Sequence, residues 1–296
     1  MKNSLSITLS ALLLICPVGI VAHAQDSKPD TATEAEKLPT PQEVVDLMVE
    51  FSGGAEALKD VKPVKSTGTF SIPQMQMTGE MTSWSAPPNL MRVDIKTPGI
   101  GIIMSGFNGK IGWSLDPTRG PSLMEGPMLD QIKMESDPAS LLDLSKYFDS
   151  VEVVGRVDFE GAKCFQLQLK KGKAVRDMFV EEKTGRMVGM KAVMPSPMGE
   201  IPTTTVIEKW MNVGPRKIAA KTVIKMMGMD QVMQIDTVSN DKFDPDVFDL
   251  PPAIQALADA QSKKAADSEG DSSSTGSNQA PSSKESSSSS SRGGGR

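Results

Sequence analysis

VKSTGTFSI, residues 64–72, sets Val64, Ser66, Gly68, Phe70 and Ile72 on one side of an extended chain, with Lys65, Thr67, Thr69 and Ser71 opposite. A period of two with one apolar side marks a half-buried strand. The same period continues downstream. Met75, Met77 and Met81 alternate with Gln74, Gln76, Thr78, Glu80 and Thr82, and LMRVDIKT (90–97) opposes Met91, Val93 and Ile95 to Arg92, Asp94 and Lys96. In IGWSLD (111–116), Ile111, Trp113 and Leu115 share a side. Hairpin turns are signalled at Asn108-Gly109, Glu160-Gly161, Thr184-Gly185 and Gly228, and strand follows strand from Val151 to about Val238. A sheet of so many antiparallel strands must curl, and its apolar face then lines a trough or half-barrel.

Two helical stretches interrupt this pattern. Thr40-Pro41-Gln42-Glu43 places a capping Thr, a first-turn Pro and an N3 Glu in register; Val44, Leu47, Met48 and Phe51 then share a helix face that Gly53-Gly54 ends. A short turn, AEALKDV, leads to the first strand. Between Pro127 and Phe148, PMLDQIKM and PASLLDLSKYF read as two short helices divided by Pro138, suited to lie over the trough. The fold class is mainly β with a few helices (α+β), a large curved antiparallel sheet covered by short helices.

The ends differ from this domain. Lys2, an apolar run from Ile7 to Val21 and Ala22-His23-Ala24 have the layout of a secretory signal cut after Ala24, and Ile15 and Pro17 spoil a lipidation box at Cys16. Residues 25–39 read as a polar leader, 40–257 as the domain, and 258–296 as a Ser-rich tail too poor in apolar residues to order. The mature chain then holds one cysteine, Cys164, in the strand-like run CFQLQL, and no histidine. Histidine-dependent triads and zinc sites rich in His or Cys are excluded, and no cofactor is expected. The acidic pairs Glu181-Glu182 and Asp241/Asp244 sit at polar turns, where solvated charge is the ordinary reading, so the chain is not expected to be an enzyme. The net charge of −5, with signs scattered, argues against nucleic acid.

Twenty methionines stand against nine Phe and one Tyr. Core packing accounts for much of this, since Met fills irregular gaps. A Cu(I) site of thioethers at Met75-x-Met77 and Met227-x-Met229 is a sharper alternative, and an adaptable lining for a greasy ligand is a third.

Pro88-Asn89-Leu90, then Asn108-Gly109-Lys110, Trp113, Asp116-Pro117 and the closing DPDVFDLPP (244–252) occur in an order and spacing that resembles the LolA-like periplasmic lipoprotein carriers and their outer-membrane lipoprotein-sorting relatives. The similarity spans nearly all of 41–255. It implies an incomplete β-barrel with a helical lid, holding acyl chains of lipoproteins or free lipid in its concave face. Phe70, Ile72, Met75, Met77, Met81, Met91, Val93, Ile95, Trp113 and Leu115 are the candidates to line it. It further implies a monomer in the periplasm that meets inner- and outer-membrane sorting partners. An envelope sensor or protein-interaction module on the same fold is the alternative. The family's lid-latching arginine has no counterpart, because Pro87 stands there, and Arg92 alternates onto the side away from Met91 and Val93.

Overall fold

In the computed structural model, residues 37–196 and 199–271 are described. The expected signal segment, most of the leader and the tail beyond Asp271 lie outside them.

The first helix forms where its caps require. Thr40 Oγ1 accepts from Glu43 N at 3.3 Å and Glu43 Oε2 accepts from Thr40 N at 2.7 Å, completing a capping box at the head of α1 (Pro41–Phe51). Val44, Val45 and Met48 are its buried residues. At the other end Gly53 takes a φ of +114°, and a side chain there would strike the Pro215 carbonyl, so the helix end presses directly on a strand turn. The single turn α2 (Ala55–Lys59) follows.

β1 (Val64–Ile72), β2 (Met77–Ala86), β3 (Leu90–Thr97), β4 (Gly101–Asn108), β5 (Gly112–Asp116) and β6 (Gly120–Leu123) form one antiparallel meander. After α3 (Gly126–Ser136), β7 (Ser150–Phe159), β8 (Ala162–Lys171), β9 (Ala174–Glu181), β10 (Met187–Ser196), β11 (Gly199–Val213), β12 (Arg216–Met226) and β13 (Met229–Ser239) form a second. β13 pairs with β1, so both meanders join in one 13-stranded sheet with β6 and β7 at its edges.

The sheet curls, and α3 shows which way. On β5, second from one edge, Gly112 leaves room for Leu129 and Ile132 of α3; a Cβ there would come within 3.1 Å of both. Asp130 of the same helix pairs at 3.0 Å with Lys171 at the end of β8, second from the other edge. One helix therefore touches both wings on the same face, which is concave. The sheet is not closed, and the expected half-barrel is present.

Three expectations are corrected. PASLLDLSKYF is not an α-helix but two 3-10 turns, Ser140–Leu142 and Leu144–Lys146, divided by Asp143 in a non-helical conformation (φ −151°, ψ 81°). Tyr147 OH, donating to Asp137 Oδ2 at 2.6 Å, ties this excursion together. Met75 is not on a strand: Pro73–Met75 is a 3-10 turn ended by Gln76 at φ +51°, and Met75 is 59% exposed. The tail does not begin at Ala258, because α4 (Pro252–Asp271) runs through that boundary. Its alanine-rich sequence has the helix propensity that a reading for missing apolar residues overlooks.

Candidate functional site

Register assigns each strand residue to a face. Phe70 lies opposite Gly79, Ile72 opposite Met77, Met81 opposite Ile95, Met91 opposite Phe107, and Val93 opposite both Ser83 and Ser105. These are concave-face rows, continuous with Gly112 beneath α3. Seven of the ten candidates thus share the concave face: Phe70, Ile72, Met77, Met81, Met91, Val93 and Ile95. Phe70, Ile72 and Met81 are buried in a cluster that Met77, Val93, Ile95 and three β13 residues, Met229, Met233 and Ile235, complete.

Trp113 and Leu115 do not belong to it. They pair across β4–β5 with Gly106 and Met104, in rows shared with Arg92 and Asp94, on the convex face. Trp113 is fully buried there because the convex face is also covered. Arg92 lies over both Trp84 and Trp113, grips Asp94 at 2.7 and 2.9 Å, and donates to the Val247 carbonyl at 3.0 Å. That contact holds the segment leading into α4, which rests on β5 and β6 with Phe248 and Ile254 buried. Pro87, in the turn after β2, forms a cis bond to Pro88. Arg92 does anchor another part of the chain, but from the convex side.

A roomier space on the concave face lies elsewhere in the sheet, between the start of α3 and strands β9 to β12. This cavity of about 420 Å³ has Met128, Met190, Ala192 and Ile224 among its apolar lining, with Thr203 and Thr205 on its floor. Thr203 Oγ1 donates to the Ala192 carbonyl at 3.1 Å, which removes that hydroxyl from the cavity's polar surface. The volume falls in the range of small-molecule and lipid sites, about 300–1,000 Å³. A narrow space of about 50 Å³ adjoins it through Pro127, Ala174 and Arg176, and through Met134 leads toward a third, of about 210 Å³, below α1. The third is lined by Met48, Phe51, Leu144, Met178 and Met187 among others, and Trp210 at its wall keeps a buried indole N–H without a partner among the described residues. The three spaces follow α3 as an interrupted apolar path. None of the ten sequence candidates lines it. Alternation in β10 (Met190, Ala192) and β12 (Ile224, Met226) was the available signal.

The cavity reaches the end of the sheet where β1–β2, β3–β4, β8–β9 and β12–β13 turn. Met75, Ile100, Ile102, Met128, Val175, Val193 and Met227 are all exposed at that end. Met227 and Met75 occupy turns rather than strands, so the same-face strand spacing behind a thioether copper site is not formed. Among the described residues no group of three His, Cys, Asp or Glu side chains could hold a metal ion. No described helix is long and apolar enough to cross a membrane.

No family model and no curated protein sequence matches the chain. Among solved structures, a DUF1329 family protein from Desulfovibrio piger superposes with a TM-score of 0.50 at 10% identity, over 72% of this chain and 98% of its own. At that level two chains of unrelated sequence share a fold. The shared fold is an open, curved antiparallel sheet with a few helices. A LolA superfamily protein from Nitrosomonas europaea aligns over 72% of this chain and 99% of its own (12% identity, TM-score 0.47). A lipoprotein-sorting protein domain from Vibrio parahaemolyticus covers 71% and 97% (9% identity, TM-score 0.46). In this chain that sheet is an open antiparallel barrel whose concave face carries α1 and α3.

Proposed function

We propose that this protein binds acyl chains of a lipid or lipoprotein in its concave trough and serves as a carrier or chaperone in the periplasm, reached through the amino-terminal signal and acting as a monomer. The observation that carries the reading is the apolar cavity of about 420 Å³ under α3, prolonged by two smaller spaces and bordered on the same concave face by the methionine-rich cluster of β1–β3 and β13. Its chemistry is burial. Each methylene taken from water is worth about 0.8 kcal/mol, so a ten-carbon stretch gains about 8 kcal/mol before ordering costs. Methionine suits such a wall because it repacks around chains of different length. Phe70, Ile72, Met77, Met81, Met91, Val93 and Ile95 extend the lining beyond the cavity.

Gentle native mass spectrometry of the purified chain, followed by organic extraction, tests this reading. Lipid at near-unit occupancy, displaced by added fatty acid, is the expected result, and Ile224→Asp, three strands away from Arg176, should abolish it because a carboxylate is costly to bury in that wall. A folded protein that is empty and refuses lipid would overturn the carrier. The exposed apolar side chains at the turn end would then favour a protein-interaction module.

A further inference from the structure

Of the charged groups in the cavity's lining, one is half-buried. Arg176 stands on β9, in register with Leu169 and Ala192, and so on the concave face. It lines both the large cavity and the narrow space that leads from it. The other charged residues of the large cavity, Lys173 and Glu200, are exposed at its mouth, whereas Arg176 is half-buried.

Among the described residues its guanidinium N–H groups have no acceptor in the fold. Five N–H donors need acceptors when water is removed from them. Among the described residues Arg176 makes no hydrogen bond and has no carboxylate within ion-pair distance; its one close partner is the ring of Phe148, 6.0 Å away. The two nearby acids are already engaged. Asp130 pairs with Lys171 at 3.0 Å, and Glu135 accepts from the Gln131 amide at 2.7 Å. Burial lowers the affinity of Arg176 for its proton, while Glu135 and then Asp130 oppose that shift; a guanidinium is basic enough to stay charged in proteins. A charged fork with free donors, at the inner side of an apolar cavity, is half of a charge-assisted pair.

We propose that Arg176 takes the anionic headgroup of the ligand, so that the trough selects lipids bearing a carboxylate or phosphate over uncharged acyl groups. The planar guanidinium meets either group through two parallel N–H···O bonds. The acyl chain then runs away from it, toward Ile224 in the large cavity or past Met134 beneath α3. This deepens the acyl-binding reading and rests on it.

Competition binding to the full mature chain separates the two. Four ligands are compared: oleate and methyl oleate, dioleoyl phosphatidate and dioleoylglycerol. Within each pair the acyl content is matched and only the charge differs. At least one charged member should bind about tenfold or more tightly than its neutral partner, the worth of a charge-assisted hydrogen bond in a sheltered site. The oleate pair alone would mark a fatty acid as the ligand, and the phosphatidate pair alone a phospholipid. Arg176→Gln should remove the preference, weakening the charged members far more than the neutral ones, and Arg176→Lys should restore part of it. If Arg176→Gln does not fold, Arg176→Met, which keeps the apolar stem, replaces it. Equal binding within both pairs by the unmodified chain, or equal loss of charged and neutral ligands in the variant, would overturn the headgroup role while leaving the trough intact. Failure of all four to bind removes both readings.

Discussion

Methionine 81 and methionine 75 are six positions apart and share a sequence parity, yet they have opposite surroundings. Met81 is buried with Phe70 and Ile72, while Met75 projects from a turn into water. Met81→Ala should therefore cost about 2–4 kcal/mol by denaturant titration, whereas Met75→Ala should stay within about 0.5 kcal/mol of the parent. Parity within a strand was legible in the sequence. The turn that breaks it at Pro73 was only half so, since Pro73 signals the break but nothing local assigns the left-handed conformation to Gln76. Trp113 and Leu115 show a different limit. Alternation tells which residues share a side, not which side faces the trough, and the usual assumption that the apolar side points inward holds only where the other side is wet. At β5 both sides are dry, with α3 over Gly112 and the α4 segment beyond Trp113, so the inference fails there. Arg176 was missed because an arginine in AVRDMFVE resembles any polar residue of a half-wet strand. Its isolation appears only when β8, β10 and α3 surround it.

Among the elements, α1 was readable in full because its determinants are local: a capping box at one end, two glycines at the other and an apolar stripe between. β3 was readable to its boundaries for the same reason, and β6 was not, because GPSL carries no alternation. The carboxy-terminal helix is the instructive failure. Its few apolar residues are enough because Ile254 is fully buried and Ala258 nearly so, while Asp259 to Lys264 remain exposed. Ending the chain after Lys264 should leave the melting temperature within about 2 °C, while Ile254→Ala should lower stability by about 2–4 kcal/mol. Ending it before Pro252 should go further and uncover Trp113, seen as a red-shifted tryptophan emission. An unchanged melting temperature in Ile254→Ala would mean that α4 adds nothing to the convex face.

For the whole molecule, the curl of the sheet and the position of α3 are one fact. Thirteen strands cannot lie flat, and once the two wings turn toward each other a single helix can rest on β5 and reach β8. That helix is held on its β5 side by apolar contact but on its β8 side by an ion pair between side chains each about 40% exposed, a bond of modest strength in water. The weaker attachment borders the narrow space that adjoins the large cavity, and Met128 on α3 and Ala192 on β10 both line that cavity. Access for a lipid is therefore expected by movement of the start of α3 away from β9 and β10. Cysteines at Met128 and Ala192, joined by a short bismaleimide, should hold this opening shut. The one native thiol among the described residues does not interfere, because Cys164 is buried and its pKa is pushed up to about 11, first by burial and then by the Glu181 carboxylate. It stays protonated at the neutral pH of the labelling. Cross-linked protein should take up oleate at least about tenfold more slowly than the unlinked double variant, and protein cross-linked after loading should retain its ligand through dilution. Equal uptake before and after cross-linking would place the way in elsewhere, with the open rows of β1–β3 and β13 the next route to test.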